Sequence, residues 1–306
     1  MKAEHVKAES IKHTELTFVS GGVECAAWHV TGEGDALATD AGRPVAVMAH
    51  GLAGTKDSGL QPFAEALAAA GLDVLAFDYR GFGASAGEPR QTVSMAGQLE
   101  DYRAAMSAAA RLPGVDPQRI VLWGVSLAGG HVISAAAGRP DVAAVVALTP
   151  LVDGLAAGRF ALETHTKREM LRSTVAGFRS KLGKPVMMPV VAPPGQLGAM
   201  TIEGSMDDYL SIAGPTWRNE IDATVGMELG GHRPIKDADA IACPSLFQVS
   251  DFDRSAPPHS SMKAAFKARA EVRHYPCDHF DVYAGKPWHD AVVAHQVAFL
   301  TRVLSP

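Results

Sequence analysis

Apolar positions along this chain fall into two rhythms that alternate with each other. Residues 13–30 alternate in the manner of an antiparallel hairpin: His13–Ser20, a Gly21-Gly22 turn, then Val23–Val30. A Gly/Asp/Ala-rich loop (31–43) leads into Val45-Ala46-Val47-Met48-Ala49, a continuous apolar strand that ends at His50-Gly51. Leu60, Phe63 and Leu67 then share one face of a helix that Asp57 or Ser58 can cap and Gly71 can end. Val74-Leu75-Ala76-Phe77 predicts the next strand. Leu99, Tyr102, Met106 and Ala109 mark the inner face of a helix that stops before Pro113. Strand 120–123, helix 127–137 and strand 142–148 complete a βαβ series, which implies a parallel sheet covered by helices. The rhythm returns with strand 246–249, helix 259–269, strand 271–275 and helix 288–303.

Residues 152–236 break this alternation. They hold Met187-Met188-Pro189, Pro193-Pro194-Gly195, further methionines (Met170, Met200, Met206) and the aromatics Phe160, Phe178, Tyr209 and Trp217. Any one of these side chains belongs most simply to a small satellite core. Together, flexible apolar side chains inserted between two core strands suggest a lid over a hydrophobic pocket, with Met187, Met188 and Trp217 in its wall. The expected division is therefore a core of 1–151 and 237–306 with a lid of 152–236.

Composition narrows the class without naming a chemistry. A chain of 306 residues, 47% hydrophobic, can bury a large core. Its net charge is −5 and its 28 basic residues are scattered, so neither nucleic acid nor a membrane surface is expected as a partner. Met1–Lys7 lacks the apolar stretch of a signal peptide, and Val142–Val152 is far too short to span a membrane. Cys25, Cys243 and Cys277 are widely spaced, which argues against a disulfide framework or a metal site. The expectation is a soluble, reduced, cytoplasmic protein; its oligomeric state, a homodimer included, stays open.

The candidate chemistry centres on Gly124-Val125-Ser126-Leu127-Ala128. A serine on a sharp turn from strand to helix, with residues too small to obstruct it two positions either side, presents its hydroxyl as a nucleophile. That hydroxyl needs a base, and the base needs an orienting group. His279 follows the last strand in a loop that turns at Pro276, whereas His131, His289 and His295 fall in predicted helices where packing or solvent explains them. Asp253 and Asp251 both follow strand 246–249. Asp253 is preferred because it lies further into the loop, ahead of Arg254 and the Pro257-Pro258 helix start. Asp153, after strand 142–148, is a third candidate whose ordinary explanation is helix capping or a hinge contact. Oxyanion donors would be the backbone amides of Leu127 and of Leu52, in the His50–Gly54 loop. His50 is assigned no proton transfer.

Taken in order, His50-Gly51-x-x-Gly54, Asp78-Tyr79-Arg80-Gly81-Phe82-Gly83-x-Ser85, Gly124-x-Ser126, Asp253 and His279-Phe280-Asp281 resemble the α/β hydrolases over about residues 13–303. The likeness is to dienelactone-hydrolase-like and acyl-esterase-like members, which resemble the catalytic domain of X-Pro dipeptidyl peptidases. It implies an eight-stranded, mostly parallel sheet, a helical lid after the sixth strand, and a Ser126–His279–Asp253 triad that needs no cofactor and no metal. Ala128 departs from the glycine usual at that point of the elbow. Ser126 also departs from the cysteine common in dienelactone hydrolases proper, and Asp78 and Arg80 read as loop-fixing residues. The expected activity is hydrolysis of a small-molecule carboxylic ester through an acyl-enzyme. The alternatives are a thioesterase or acyltransferase acting on a carrier-bound acyl chain, and a non-catalytic small-ligand binding protein.

Overall fold

The computed structural model describes residues 13–164 and 166–306. Ten strands are β1 (Thr14–Ser20), β2 (Val23–Val30), β3 (Arg43–Ala49), β4 (Asp73–Phe77), β5 (Val115–Val125), β6 (Val142–Leu148), β7 (Met187–Met188), β8 (Ile221–Asp222), β9 (Ser245–Ser250) and β10 (Glu271–Tyr275). Eight of them form one sheet in the order β1-β2-β4-β3-β5-β6-β9-β10. β1, β2 and β4 pair antiparallel, and every later pairing is parallel. β3, β4, β6 and β9 are buried almost throughout because helices cover both faces of the sheet. This is the α/β-hydrolase fold that the family resemblance implied.

Those covering helices are α1 (Gln61–Ala69), α2 (Met95–Ala109), α3 (Leu127–Ala136), α8 (Pro258–Ala268) and α9 (His289–Leu304). Between β6 and β9 the chain adds α4 (Gly154–Thr164), α5 (Lys167–Leu182), α6 (Ser205–Ile212), α7 (Val225–Gly231) and the two-stranded ribbon β7–β8. Two local expectations shift. The strand predicted over 120–123 runs over 115–125, because Val115 also pairs with Arg43 across an irregularity in the register. α1 starts at Leu60 with no side-chain cap. Asp57 and Ser58, expected there as caps, instead accept hydrogen bonds from the amides of Thr216 (2.9 Å) and Gly214 (3.1 Å) in the inserted segment.

Polar groups buried beneath the sheet are paired in series. The Tyr102 hydroxyl donates to the Trp123 carbonyl (2.9 Å), the Trp123 indole to Gln296 (3.0 Å) and Gln296 to Gln248 (2.6 Å). A chain of satisfied groups fixes the position of β5, the strand that delivers Ser126, without the cost of an orphaned polar atom.

Candidate active site

Ser126 sits between β5 and α3 with φ at +58° and ψ at −118°, a backbone region that L-residues avoid. Its amide donates to the Leu148 carbonyl (2.9 Å), and its own carbonyl accepts from the amides of Leu151 (2.9 Å) and Gly130 (3.3 Å). Close packing sets the glycines here. A Cβ on Gly124 would lie 2.3 Å from the Ala128 carbonyl oxygen, and one on Gly51 would lie 2.7 Å from Ser126 Cβ. Ala128 is fully buried in the main core, which accepts its methyl group, so the elbow needs glycine before the serine but not after it.

His279 and Asp253 meet in a buried pair. The Nδ1–Oδ2 distance is 2.7 Å, and each residue is 3% exposed. The other carboxylate oxygen of Asp253 accepts from the amides of Ser255 (2.8 Å) and Ala256 (2.6 Å), which locks the acid loop. Burial of the imidazole disfavours its protonation. The charge and hydrogen bond of Asp253, with Asp278 beyond, outweigh that and hold its pKa above 6.5. Ser126 Oγ is not hydrogen-bonded to His279 among the described residues; contacts of this kind are often long in the absence of substrate.

Neither of the other acids touches His279. Asp251 pairs with the half-exposed His274 (2.7 Å). Asp153 accepts from the amides of Leu155 (3.0 Å) and Ala156 (3.2 Å) at the start of α4 and pairs with Arg233 (2.9 Å). It therefore joins the two ends of the inserted segment. The three histidines that the sequence places in helices make structural contacts. His131 bonds Gln98 (2.9 Å), His289 contacts the Val282 carbonyl (3.1 Å), and His295 shares a hydrogen bond with the Tyr275 hydroxyl (2.9 Å).

The loop Gly51–Gly54 lies beside the elbow. Leu52 packs against a small cluster of Leu127, Leu151 and Ala256, so one apolar contact joins the elbow, the end of β6, the acid loop and this loop. The Leu52 amide donates to no other group among the described residues, and Leu127 opens α3, where a helix leaves its first amides free. His50 is wholly buried; burial, and to a lesser extent the charge of His279, lowers its pKa to about 4. His50 Nε2 shares a hydrogen bond with the Tyr283 hydroxyl (3.3 Å), and Gly54 is required because a Cβ there would lie 1.8 Å from the ring nitrogen. Asp78 binds Lys56 through both its amide (2.6 Å) and its ammonium group (2.9 Å), and Arg80 binds Asp101 (2.7 Å). Both pairs fix loops.

The residues of the expected pocket wall are not placed alike. Trp217 stacks on Tyr209 (5.1 Å), which meets Phe280, the neighbour of His279, edge-on (5.7 Å). Met187 and Met188 lie in the β7–β8 ribbon, paired with Asp222 and Ile221, and Met188 is buried. Arg254, which sequence reasoning did not assign, binds Asp278 through its amide (3.0 Å) and Nε (2.5 Å) and reaches the Glu203 carbonyl (3.0 Å). It clamps the acid loop to the histidine loop and to the inserted segment. No group of three or more histidine, cysteine or acidic side chains that could hold a metal occurs among the described residues, and no described helix is long and apolar enough to cross a membrane.

Comparison with known proteins agrees with this geometry. The family model of the S33 serine aminopeptidases matches residues 41–188. The quorum-quenching protein AidA of Acinetobacter baumannii is 35% identical over 294 residues, covering 95% of each chain. A thiohydrolase of Aspergillus aculeatus is 40% identical over 114 residues, 37% of this chain and 36% of that protein. The crystal structure of the α/β hydrolase GrgF from Penicillium superposes with a TM-score of 0.75 at 21% identity, covering 97% of this chain and all of that one. Near-full-length similarity at this identity, together with the sheet order and the strained serine between β5 and α3, makes the chain a member of the α/β-hydrolase family.

Proposed function

We propose that this protein is a cofactor-independent serine hydrolase of carboxylic esters. The observation that carries the reading is the buried His279–Asp253 pair at 2.7 Å, whose acid loop packs through Ala256 on Leu127, the residue after a serine held at φ +58°. Asp253 accepts a hydrogen bond from His279 Nδ1–H, which leaves Nε2 unprotonated and able to take the proton of Ser126 Oγ as that oxygen attacks the acyl carbon. The Leu52 and Leu127 amides donate to the oxyanion of the tetrahedral intermediate. Collapse expels the alcohol, which takes its proton from His279. Water, deprotonated by the same imidazole, then releases the acid and regenerates Ser126.

Within the family, the dienelactone-hydrolase-like and acyl-esterase-like branch is part of this proposal and rests on the motifs from His50 to Asp281. Residues 152–236 are assigned as a cap over the core of 1–151 and 237–306. Trp217, Met187 and Met188 are assigned to its apolar face toward a small acyl substrate. A second reading, hydrolysis or transfer of a thioester-bound acyl chain, is favoured by the partial similarity to a thiohydrolase. The triad chemistry is the same for both. Panels of p-nitrophenyl esters and matched acyl thioesters, from acetyl to octanoyl, separate the two. The ester reading expects kcat/KM to rise about fourfold per buried methylene until the pocket is full, and to exceed that for the matched thioester. A uniform preference for thioesters would replace it with the second reading. A flat profile, or one unchanged when Trp217, Met187 and Met188 become alanine, would remove the apolar wall.

A further inference from the structure

A hydrogen bond ties the inserted segment to the oxyanion loop. Tyr209, on α6 and 2% exposed, donates its hydroxyl to the Leu52 carbonyl at 2.6 Å. Burial pushes that phenol upward, so it stays a donor at every pH at which the protein would work. The carbonyl it holds belongs to the peptide between Leu52 and Ala53, the central peptide of a four-residue turn closed by the Gly54 amide on the Gly51 carbonyl (3.3 Å). Ala53, the third residue of that turn, has φ at +55°.

Turns of this length come in forms that differ by rotation of the central peptide. With negative φ at the third residue, the turn suits alanine; with positive φ, it ordinarily requires glycine. This loop takes the second form with alanine, so the strain must be held by something outside the turn. Tyr209 is placed to do so. Its ring is wedged between Trp217 (5.1 Å) and Phe280 (5.7 Å). Its helix is tied down by Asp208 to Lys286 (2.8 Å), and the chain just beyond by the amides of Gly214 and Thr216 on Ser58 and Asp57. The Leu52 amide that would receive the oxyanion is one bond away from the rotation the hydroxyl prevents.

We propose that Tyr209 is a positioning residue that holds the Leu52–Ala53 peptide in its strained form. The inserted segment then sets the oxyanion site as well as covering it. This rests on the serine-hydrolase reading above. Without the hydroxyl, the peptide rotates, Ala53 relaxes to negative φ, and the turn that carries the Leu52 amide loses the anchor that fixes its place beside the elbow.

Tyr209→Phe tests it, with kcat and KM for p-nitrophenyl butyrate and the inhibition constant of a trifluoromethyl ketone, which forms a tetrahedral adduct with an activated serine. The expected result is a 10- to 100-fold fall in kcat, in line with misplacement of one oxyanion donor, and a KM within about threefold of wild type. The inhibition constant should rise by the same factor as kcat falls. Adding Ala53→Gly to Tyr209→Phe should restore kcat several-fold, since glycine takes positive φ without strain. A Tyr209→Phe enzyme with kcat within twofold of wild type overturns the proposal, as does a loss confined to KM or one that Ala53→Gly does not offset. If Tyr209→Phe does not fold, Tyr209→Met is judged by the same outcomes. Fluorophosphonate labelling of wild type separates the two levels: an unlabelled Ser126 sinks the hydrolase reading and this inference together, whereas a labelled Ser126 with an unimpaired Tyr209→Phe enzyme sinks only the inference.

Discussion

Replacing Asp253 by asparagine should remove activity while leaving the fold in place, and the structure says why the two separate. One carboxylate oxygen accepts the amides of Ser255 and Ala256, and the asparagine carbonyl can accept them equally well. The loop and its packing therefore persist, and Tm should stay within a few degrees. The other oxygen faces His279 Nδ1 at 2.7 Å, and there the substitution puts an N–H donor. The ring must answer with a bare Nδ1 and carry its proton on Nε2, the nitrogen that has to accept the proton of Ser126. The charge that stabilises the imidazolium is lost as well. A histidine held in the wrong tautomer costs on the order of 10⁴ in kcat, or about 5 kcal/mol of transition-state stabilisation. Asp251→Asn and Asp153→Asn alter acids that pair with His274 and Arg233, so they should stay within about fivefold of wild type. Initial rates with p-nitrophenyl butyrate, run beside thermal melts of all three variants, provide the comparison. An Asp253→Asn enzyme keeping more than about a hundredth of wild-type kcat, or a crippled Asp153→Asn, refutes this assignment of the acid.

The acid limb of the kcat/KM profile should have its midpoint above pH 6.5. The base must be neutral to accept the serine proton, and Asp253 keeps His279 protonated to higher pH than usual, so activity rises only as pH climbs past that raised value; a midpoint at or below 6.5 contradicts the pairing as described. The same shift stabilises the fold below the unfolded-state pKa and is lost as pH rises through the folded one, so the gain in activity should accompany a small loss of stability. Gly124→Ala forces a Cβ to 2.3 Å from a backbone oxygen that cannot yield; it should lower kcat at least 100-fold and Tm by several degrees, and a variant with wild-type melting and turnover would show that the elbow is looser than described.

Much of this architecture was legible because helix and strand periodicities are local. Apolar runs such as Val45–Ala49 and Val142–Leu148 read as buried strands and are so, and Ser126 was visible because its turn needs small neighbours on either side. What stayed hidden depends on contacts far apart in the chain. Asp57 and Ser58 look like helix caps until residues 214–216 arrive to use their side chains. Tyr209 carries no motif; its hydroxyl matters only because the chain brings it 157 positions back to Leu52. Arg254 is an exposed-looking basic residue until Asp278 and the Glu203 carbonyl converge on it.

Whether Ser126 is an activated nucleophile can be measured directly. Wild type and Ser126→Ala are treated with a fluorophosphonate, digested, and the peptides weighed. The account predicts one adduct on wild type, on the peptide containing Ser126, formed faster as pH rises through the acid limb. It predicts none on Ser126→Ala, whose kcat should fall below a hundredth of wild type. Wild type that stays unlabelled, or a Ser126→Ala protein that turns over ester at an undiminished rate, would contradict it.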